Sequence, residues 1–204
     1  MSALVVCTFV FADGDAAAGA SKTVVCSACH GADGVSATGQ NPNLAGQGEK
    51  YLLKQMQDVK SGAREIVAMT GLLDAMSEQD LKDIAAYYAA QEKSITGSQM
   101  IADDAYGLSA EEFLAMGEKL YRGGNLETKV PACTGCHSPS GSGNAPAGFP
   151  ALSGQHSEYI YRQLSLFRDN LRTNDGETLI MRGVAGAMTD QEMRALANFV
   201  SGLH

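Results

Sequence analysis

The sequence contains no tryptophan and few basic residues, with 15 lysines and arginines against 23 acidic residues and a net charge of −8. No basic tract occurs anywhere, which argues against nucleic-acid binding, since that role needs clustered positive charge. Long apolar runs are also missing, and the most apolar stretch, residues 3–12, is far too short to cross a bilayer. No segment shows the sustained alternation of a β-strand, so the sequence predicts an all-α fold.

Residues 1–12 resemble the remnant of a secretory signal peptide. Val10 and Ala12 occupy the small-residue positions that precede a cleavage site, and the polar Asp13 follows them. The basic start of such a signal is missing, so Met1 is not the native start or the remnant is atypical. We expect an exported protein. Cys7 is the odd cysteine of this run, and valines stand where a lipid-attachment motif needs small residues.

The other four cysteines form two Cys-x-x-Cys-His motifs, at residues 26–30 and 133–137. Cysteines three residues apart lie on neighbouring positions of a helical turn, and the following histidine points to the same side. Two sulfurs can then bond to the two vinyl groups of one haem, with the imidazole beneath the iron, and this motif is the attachment signature of c-type haem. The sequence therefore predicts two haem c groups, attached through Cys26, Cys29, Cys133 and Cys136, with His30 and His137 as iron ligands.

Two other interpretations use the cysteines without haem. In an exported protein each pair could form a disulfide, and four cysteines could bind one zinc ion. Disulfides leave the histidine after each pair unexplained. Zinc is disfavoured because each pair lies in its own repeated segment, with its own histidine and methionine.

The chain contains the same frame twice. The segment Pro-Asn-Leu-Ala-Gly-Gln at 42–47 recurs as Pro-Ala-Leu-Ser-Gly-Gln at 150–155, and Met-Thr-Gly at 69–71 recurs as Met-Arg-Gly at 181–183. The copies drift by only a few residues, most of which we assign to the loop around Arg172–Glu177. This pattern indicates a tandem duplication rather than a solenoid. We expect a signal remnant at 1–12, two repeated domains at 13–95 and 109–204 that each hold one haem, and a linker at 96–108.

Helix signals fit this frame. We expect one helix from about Asp15 into the first motif and another over roughly Glu49–Lys60, where apolar residues recur at helical spacing. The last helix of the first half should begin at Ser77, whose hydroxyl can cap backbone N–H groups. Ser109 and Glu112 form a candidate capping box at the start of the second half.

Each iron needs a second ligand on the face opposite the motif histidine. Only two further histidines exist, His156 and His204. His156 corresponds to Gly48 of the first half, so it cannot serve a duplicated role, and we expect it at the surface where a helix starts. His204 is the last residue, and we expect it in solvent. Histidine therefore does not supply the second ligand of both irons.

Methionine is the natural alternative, because its soft thioether suits haem iron and raises the reduction potential. Two methionines recur in both halves, Met69 with Met181 and Met76 with Met188. The first pair lies in predicted loops two residues before a glycine, where backbone can pass close to a flat cofactor. The second pair directly precedes a helix N-cap, where an apolar residue commonly packs onto the first turn. We favour Met69 and Met181, with Met76 and Met188 as the alternative.

The order of Cys-x-x-Cys-His, Pro-x-Leu, loop methionine and capped final helix resembles a class I cytochrome c. Two such units in tandem, with Leu-Ala-Gly-Gln and Met-Arg-Gly in place, resemble the dihaem cytochrome c4 family over nearly everything after residue 12. This resemblance implies that Met69 and Met181 ligate iron. It also implies that the backbone carbonyls of Pro42 and Pro150 accept the Nδ1–H of the motif histidines, which fixes ring orientation and ligand basicity.

If histidine and methionine close both faces of each iron, the protein can only accept and pass single electrons. The resemblance implies a periplasmic electron carrier, not an enzyme, acting between a cytochrome bc complex and a terminal oxidase. The expected partners are these redox proteins and no nucleic acid. We expect a monomer or weak dimer, either free in the periplasm or held peripherally at the membrane. The alternatives are an electron-transfer subunit of a larger dehydrogenase and, less favoured, a dihaem peroxidase with one iron face open to peroxide.

Overall fold

A computed structural model describes residues 14–204, and the predicted signal remnant with Cys7 lies outside this range. The described chain is helical, with three isolated β-bridges and no strand. No helix within it is long and apolar enough to cross a membrane. The helices are α1 (Ala16–Ala20), α2 (Val24–His30), α3 (Glu49–Ser61), α4 (Glu78–Ala89), α5 (Ala110–Gly123), α6 (Thr134–His137), α7 (Ser157–Arg168), α8 (Ile180–Gly186) and α9 (Asp190–Ser201), with a 3₁₀ turn at Val67–Met69.

The helix predicted from Asp15 into the first motif is interrupted, so that prediction was wrong. Asp15 caps α1 by accepting hydrogen bonds from two backbone amides, but the helix ends at Ala20. The hydroxyls of Ser21 and Thr23 donate to carbonyls three residues earlier, at 3.1 and 2.9 Å. Such local bonding competes with continued helix. The motif therefore has a short helix of its own, α2.

Capping residues start the longer helices where the sequence indicated. In a capping box the N-cap side chain accepts the backbone N–H of the third helical residue, and the side chain of that residue accepts the N-cap backbone N–H, so two backbone donors gain partners. Each such cap stabilises its helix by about 1 kcal/mol. The capping boxes are Ser77 with Asp80 before α4, Ser109 with Glu112 before α5, and Thr189 with Glu192 before α9.

Each half is built on a crossing of its first and last helices, α1 with α4 and α5 with α9. A glycine lies at each crossing. A Cβ atom on Gly19 would stand 2.1 Å from the Asp83 carbonyl oxygen, and one on Gly117 would stand 2.2 Å from the Ala195 carbonyl oxygen. Only a residue without a side chain permits this approach. The middle helices, α3 and α7, pack against α4 and α9.

The two halves fill their cores differently. The first half buries a small apolar cluster around Leu52, Ile84 and Tyr88, whereas the cluster of the second half is much larger and includes Tyr121. Tyr88 comes from the last helix of its half and Tyr121 from the first helix of its half. The Tyr121 hydroxyl donates to the Ser138 carbonyl at 2.5 Å, while the buried Tyr88 hydroxyl has no hydrogen-bond partner among the described residues.

Candidate functional site

The two Cys-x-x-Cys-His motifs occupy short helices with buried histidines. Cys26, Cys29 and His30 belong to α2, and His137 ends α6, with exposed fractions of 9% for His30 and 8% for His137. The four motif cysteines form no disulfide. Within residues 14–204, no three His, Cys, Asp or Glu side chains converge as a metal-binding group.

Both histidine rings are held by a proline carbonyl. The Nδ1 atom lies 2.9 Å from the carbonyl oxygen of Pro42 in His30 and 2.9 Å from that of Pro150 in His137. Because Nδ1 donates the proton, Nε2 carries the lone pair, and neither Nε2 atom forms a hydrogen bond within the described chain. Burial lowers the pKa of both imidazoles, although the proline bonds oppose this shift. Each ring is therefore neutral at pH 7 and available as an iron ligand through Nε2.

The first cysteine of each motif is held as a thiol. Burial raises the pKa of Cys26 and raises that of Cys133 to about 11. Cys26 packs against the core of the first half and Cys133 against that of the second. Each motif thus presents a thiol at the edge of an apolar core, one helical turn before a neutral imidazole.

The favoured methionines are only partly buried. Met69 ends the 3₁₀ turn after α3, whereas Met181 lies in the first turn of α8 rather than in the loop we expected. The Asp175 carboxylate supports the first turn of this helix, because it accepts the Arg182 backbone N–H at 2.9 Å and pairs with the Arg182 guanidinium. The predicted loop is therefore helical at Met181, and the half-buried Met181 packs at the edge of the second core.

The other recurrent methionines pack with the cores. Met188 is 4% exposed and is a member of the second core, and Met76 packs against the first. This is the placement expected of an apolar residue that precedes a helix cap. The structure thus gives Met76 and Met188 a packing role that Met69 does not have.

Two buried glutamines join the halves, and the sequence showed them only as the last residue of the repeated Gly-Gln pairs. Gln155 accepts from the Asn43 backbone N–H and donates to the Asn43 carbonyl, both at 2.9 Å. Gln47 accepts from the Ala151 N–H at 3.0 Å and donates to the Ala151 carbonyl at 2.8 Å. We call these paired contacts the glutamine clasps. Each clasp grips the residue directly after the proline that holds a motif histidine.

Two buried arginines also meet between the halves. Arg64 donates to the Tyr159 hydroxyl at 3.1 Å and to Gln163 Oε1 at 3.0 Å, while Arg172 donates to the same Gln163 oxygen and to Gln55 Oε1. Neither guanidinium forms an ion pair with a carboxylate in the described part of the chain. Burial alone would raise the pKa of Tyr159, but the two arginine charges outweigh it and lower that pKa. Buried cations are costly without a counter-charge, so this pair suits an anionic group.

The remaining histidines occupy different surroundings. His156 precedes α7, as expected, but it is half-buried rather than at the surface. Its Nε2 atom lies 3.0 Å from the Ser36 carbonyl oxygen of the other half. His204 is exposed at the end of the chain, as predicted. His156 thus contributes to the contact between the halves.

Comparisons with known proteins agree with this duplicated geometry. The cytochrome c family model matches residues 16–92 and again residues 114–204. Cytochrome c4 of Pseudomonas aeruginosa is 51% identical over 193 residues, covering 95% of this chain and 90% of that protein. The crystal structure of reduced recombinant cytochrome c4 from Pseudomonas stutzeri superimposes with a TM-score of 0.86 at 50% identity, covering 94% of this chain and 100% of that one. A thiosulfate dehydrogenase electron acceptor of Stutzerimonas stutzeri is 35% identical over 183 residues, covering 88% of this chain and 79% of that protein.

Proposed function

Because this chain belongs to the dihaem cytochrome c4 family, we propose that it carries electrons in the periplasm from a cytochrome bc complex to a terminal oxidase. Family membership itself makes it an electron-transfer cytochrome, not an enzyme, with two covalently bound haem c groups. Our finer proposals concern the ligands of each iron, the domain division and the partners. The domains we propose, 13–95 and 109–204 with a linker at 96–108, enclose the two family matches.

We assign each haem to the residues of its own half. Cys26 and Cys29 bind one haem and Cys133 and Cys136 the other, with His30 and Met69 or His137 and Met181 as the iron ligands. One observation carries this assignment: each buried histidine donates Nδ1–H to a proline carbonyl at 2.9 Å and so turns Nε2 away as a free lone pair. When bound, each haem supplies an iron that alternates between ferric and ferrous states.

The chain also contains buried positive charges that can pair with the carboxylates of haem. Haem c carries two carboxylates, and Arg64 and Arg172 are buried cations without an acidic partner in the described chain. An anionic group would remove the cost of burying two positive charges side by side. The arginines thus support the fit of the cofactor independently of the cysteine motifs.

Replacement of the methionines tests the ligand set. Methionine bound to ferric haem gives a weak sulfur-to-iron absorption band at the red end of the spectrum. We expect Met69→Leu and Met181→Leu each to remove about half of this band, because each takes one thioether from one iron. The matched controls, Met76→Leu and Met188→Leu, should leave it intact. If the controls remove the band and the first pair do not, the assignment is wrong.

A second set of partners is favoured by one relative. The Stutzerimonas stutzeri protein named as a thiosulfate dehydrogenase electron acceptor covers 88% of this chain. The alternative function is therefore to receive electrons from a dehydrogenase that oxidises small sulfur anions. Stopped-flow reduction separates the two functions: a cytochrome bc complex with quinol should reduce the protein rapidly, and a thiosulfate dehydrogenase with thiosulfate should do so only if the alternative holds.

A further inference from the structure

We propose that Gln47 and Gln155 are positioning residues that act across the two halves, each strengthening the hydrogen bond on the iron-ligating histidine of the opposite half. The inference deepens the proposed function and rests on it, because it takes His30 and His137 as iron ligands.

The geometry joins each glutamine to a histidine through a single peptide group. The Pro42 carbonyl and the Asn43 N–H belong to the same amide. Its oxygen accepts His30 Nδ1–H at 2.9 Å, and its N–H donates to Gln155 Oε1 at 2.9 Å. Two hydrogen bonds thus run in sequence from the imidazole of the first half to a side chain of the second. We call such a sequence of two hydrogen bonds through one amide a relay.

The second half contains the mirror arrangement. The Pro150 carbonyl accepts His137 Nδ1–H at 2.9 Å, and the N–H of the same amide, on Ala151, donates to Gln47 Oε1 at 3.0 Å. The direction of each relay is fixed, because the Nε2 atom of each glutamine donates to the neighbouring carbonyl and only Oε1 is left to accept.

An amide whose N–H is engaged becomes a stronger acceptor at its oxygen, because hydrogen bonds in a chain polarise one another. A stronger bond on Nδ1–H makes the imidazole a more basic ligand. A more basic ligand favours the ferric state. Each glutamine therefore lowers the reduction potential of the haem in the half to which it does not belong.

Burial keeps water from replacing the glutamines. Gln155 is 4% exposed and Gln47 8%, and the residues that they grip, Asn43 and Ala151, are 6% and 4% exposed. Gln155 Oε1 accepts one further bond, from the His156 N–H at 3.1 Å. Removal of a glutamine side chain thus leaves the N–H of the proline amide without an acceptor, rather than with a water in place of the glutamine oxygen.

The test is a crossed pair of variants, Gln155→Leu and Gln47→Leu, in the complete dihaem protein. The readout is the Nδ1–H proton resonance of each ligating histidine in the reduced, diamagnetic protein with ¹⁵N-labelled histidine. We expect Gln155→Leu to shift the His30 proton upfield and leave His137 in place, and Gln47→Leu to do the reverse. In each variant the reduction equilibrium of the affected haem should move severalfold toward the reduced form.

Two controls separate a relay from a general loosening of the contact between the halves. Lys50→Met removes another bond between them, from Lys50 Nζ to the Pro146 carbonyl at 3.0 Å, without touching either relay, and should move neither proton. Gln155→Glu keeps an acceptor oxygen of the same reach for the Asn43 N–H, replaces the Nε2 donor by a second oxygen and adds a negative charge, which makes the acceptor stronger. The His30 proton should therefore stay in place or move downfield in Gln155→Glu, even if Gln155→Leu folds poorly.

The outcomes also separate failure of the relay from failure of its premise. In the wild type, we expect the ligating histidines to show ring protons shifted strongly upfield by the haem ring current. Their absence would overturn the ligand assignment. If those shifts are present, the relay is overturned when both protons move together in either leucine variant, when neither moves, or when Gln155→Glu moves the His30 proton upfield as Gln155→Leu does.

Discussion

The substitution Gly117→Ala tests whether the α5–α9 crossing depends on the absence of a side chain. The added methyl carbon would stand 2.2 Å from the Ala195 carbonyl oxygen and 2.7 Å from its carbon. Backbone atoms cannot rotate away as the end of a side chain can, so the two helices must separate. Overpacking of this kind costs about 1–3 kcal/mol, and so close an approach belongs at the upper end.

A gain in helix propensity partly offsets this cost. Replacing a mid-helix glycine by alanine gains about 1 kcal/mol, which leaves a net loss of about 2 kcal/mol. For a domain of this size that loss lowers the unfolding temperature by about 10 °C, measured by differential scanning calorimetry of the dihaem protein. Gly123→Ala is the matched control on the same helix, because its Cβ would meet nothing within 4 Å. If Gly117→Ala unfolds at the same temperature as Gly123→Ala, the crossing tolerates a side chain and the reasoning fails.

Two further predictions concern single polar groups. Hydrogen bonds from a backbone amide and from Lys22 lower the pKa of Asp83 to about 2. The ionised Asp83 therefore stabilises the fold fully above its unfolded pKa near 4, and this stabilisation is lost as the pH falls through about 2. Asp83→Asn should reduce the loss of stability between these pH values, measured by denaturant unfolding at a series of pH values. Tyr121→Phe should lower the free energy of unfolding by about 1 kcal/mol, because it removes the bond to the Ser138 carbonyl, whereas Tyr88→Phe should change it little. Equal losses in the two phenylalanine variants would contradict this account.

Local sequence signals predicted the parts of the fold that depend on local chemistry. The capping residues before α4 and α5 were visible because a hydroxyl and an acid three residues apart satisfy the first backbone amides of a helix wherever they occur. The break after Ala20 was missed because serine and threonine also occur within continuous helices, and no proline marks the end of α1. Helix α8 was missed because Asp175, which binds the backbone of its first turn, lies well before Met181 in a loop that has no counterpart in the first half.

The sequence pattern did not allow the contact between the halves to be predicted. The glutamines of the repeated Gly-Gln pairs were visible, but nothing in their own half indicates that each grips the backbone of the other. Arg172 was assigned to an inserted loop, although the structure shows it sharing Gln163 with Arg64. Such contacts depend on how two domains dock, and docking depends on surfaces formed by residues distant in sequence.

The contact of His156 with Ser36 has no counterpart, because Gly48 stands at the position equivalent to His156. Other contacts between the halves are reciprocal: residue i of one half meets residue j of the other, while the counterpart of j meets the counterpart of i. The glutamine clasps and the arginine pair follow this rule. The interiors do not: Tyr88 has no tyrosine counterpart on α9, and Asp83 faces Gly19 where Ala195 faces Gly117. The surroundings of the two haems therefore differ through their separate cores, whereas the glutamine clasps and the arginine pair place equivalent side chains beside both halves. A substitution in a core should perturb one haem, and a substitution in a clasp should perturb the haem of the opposite half.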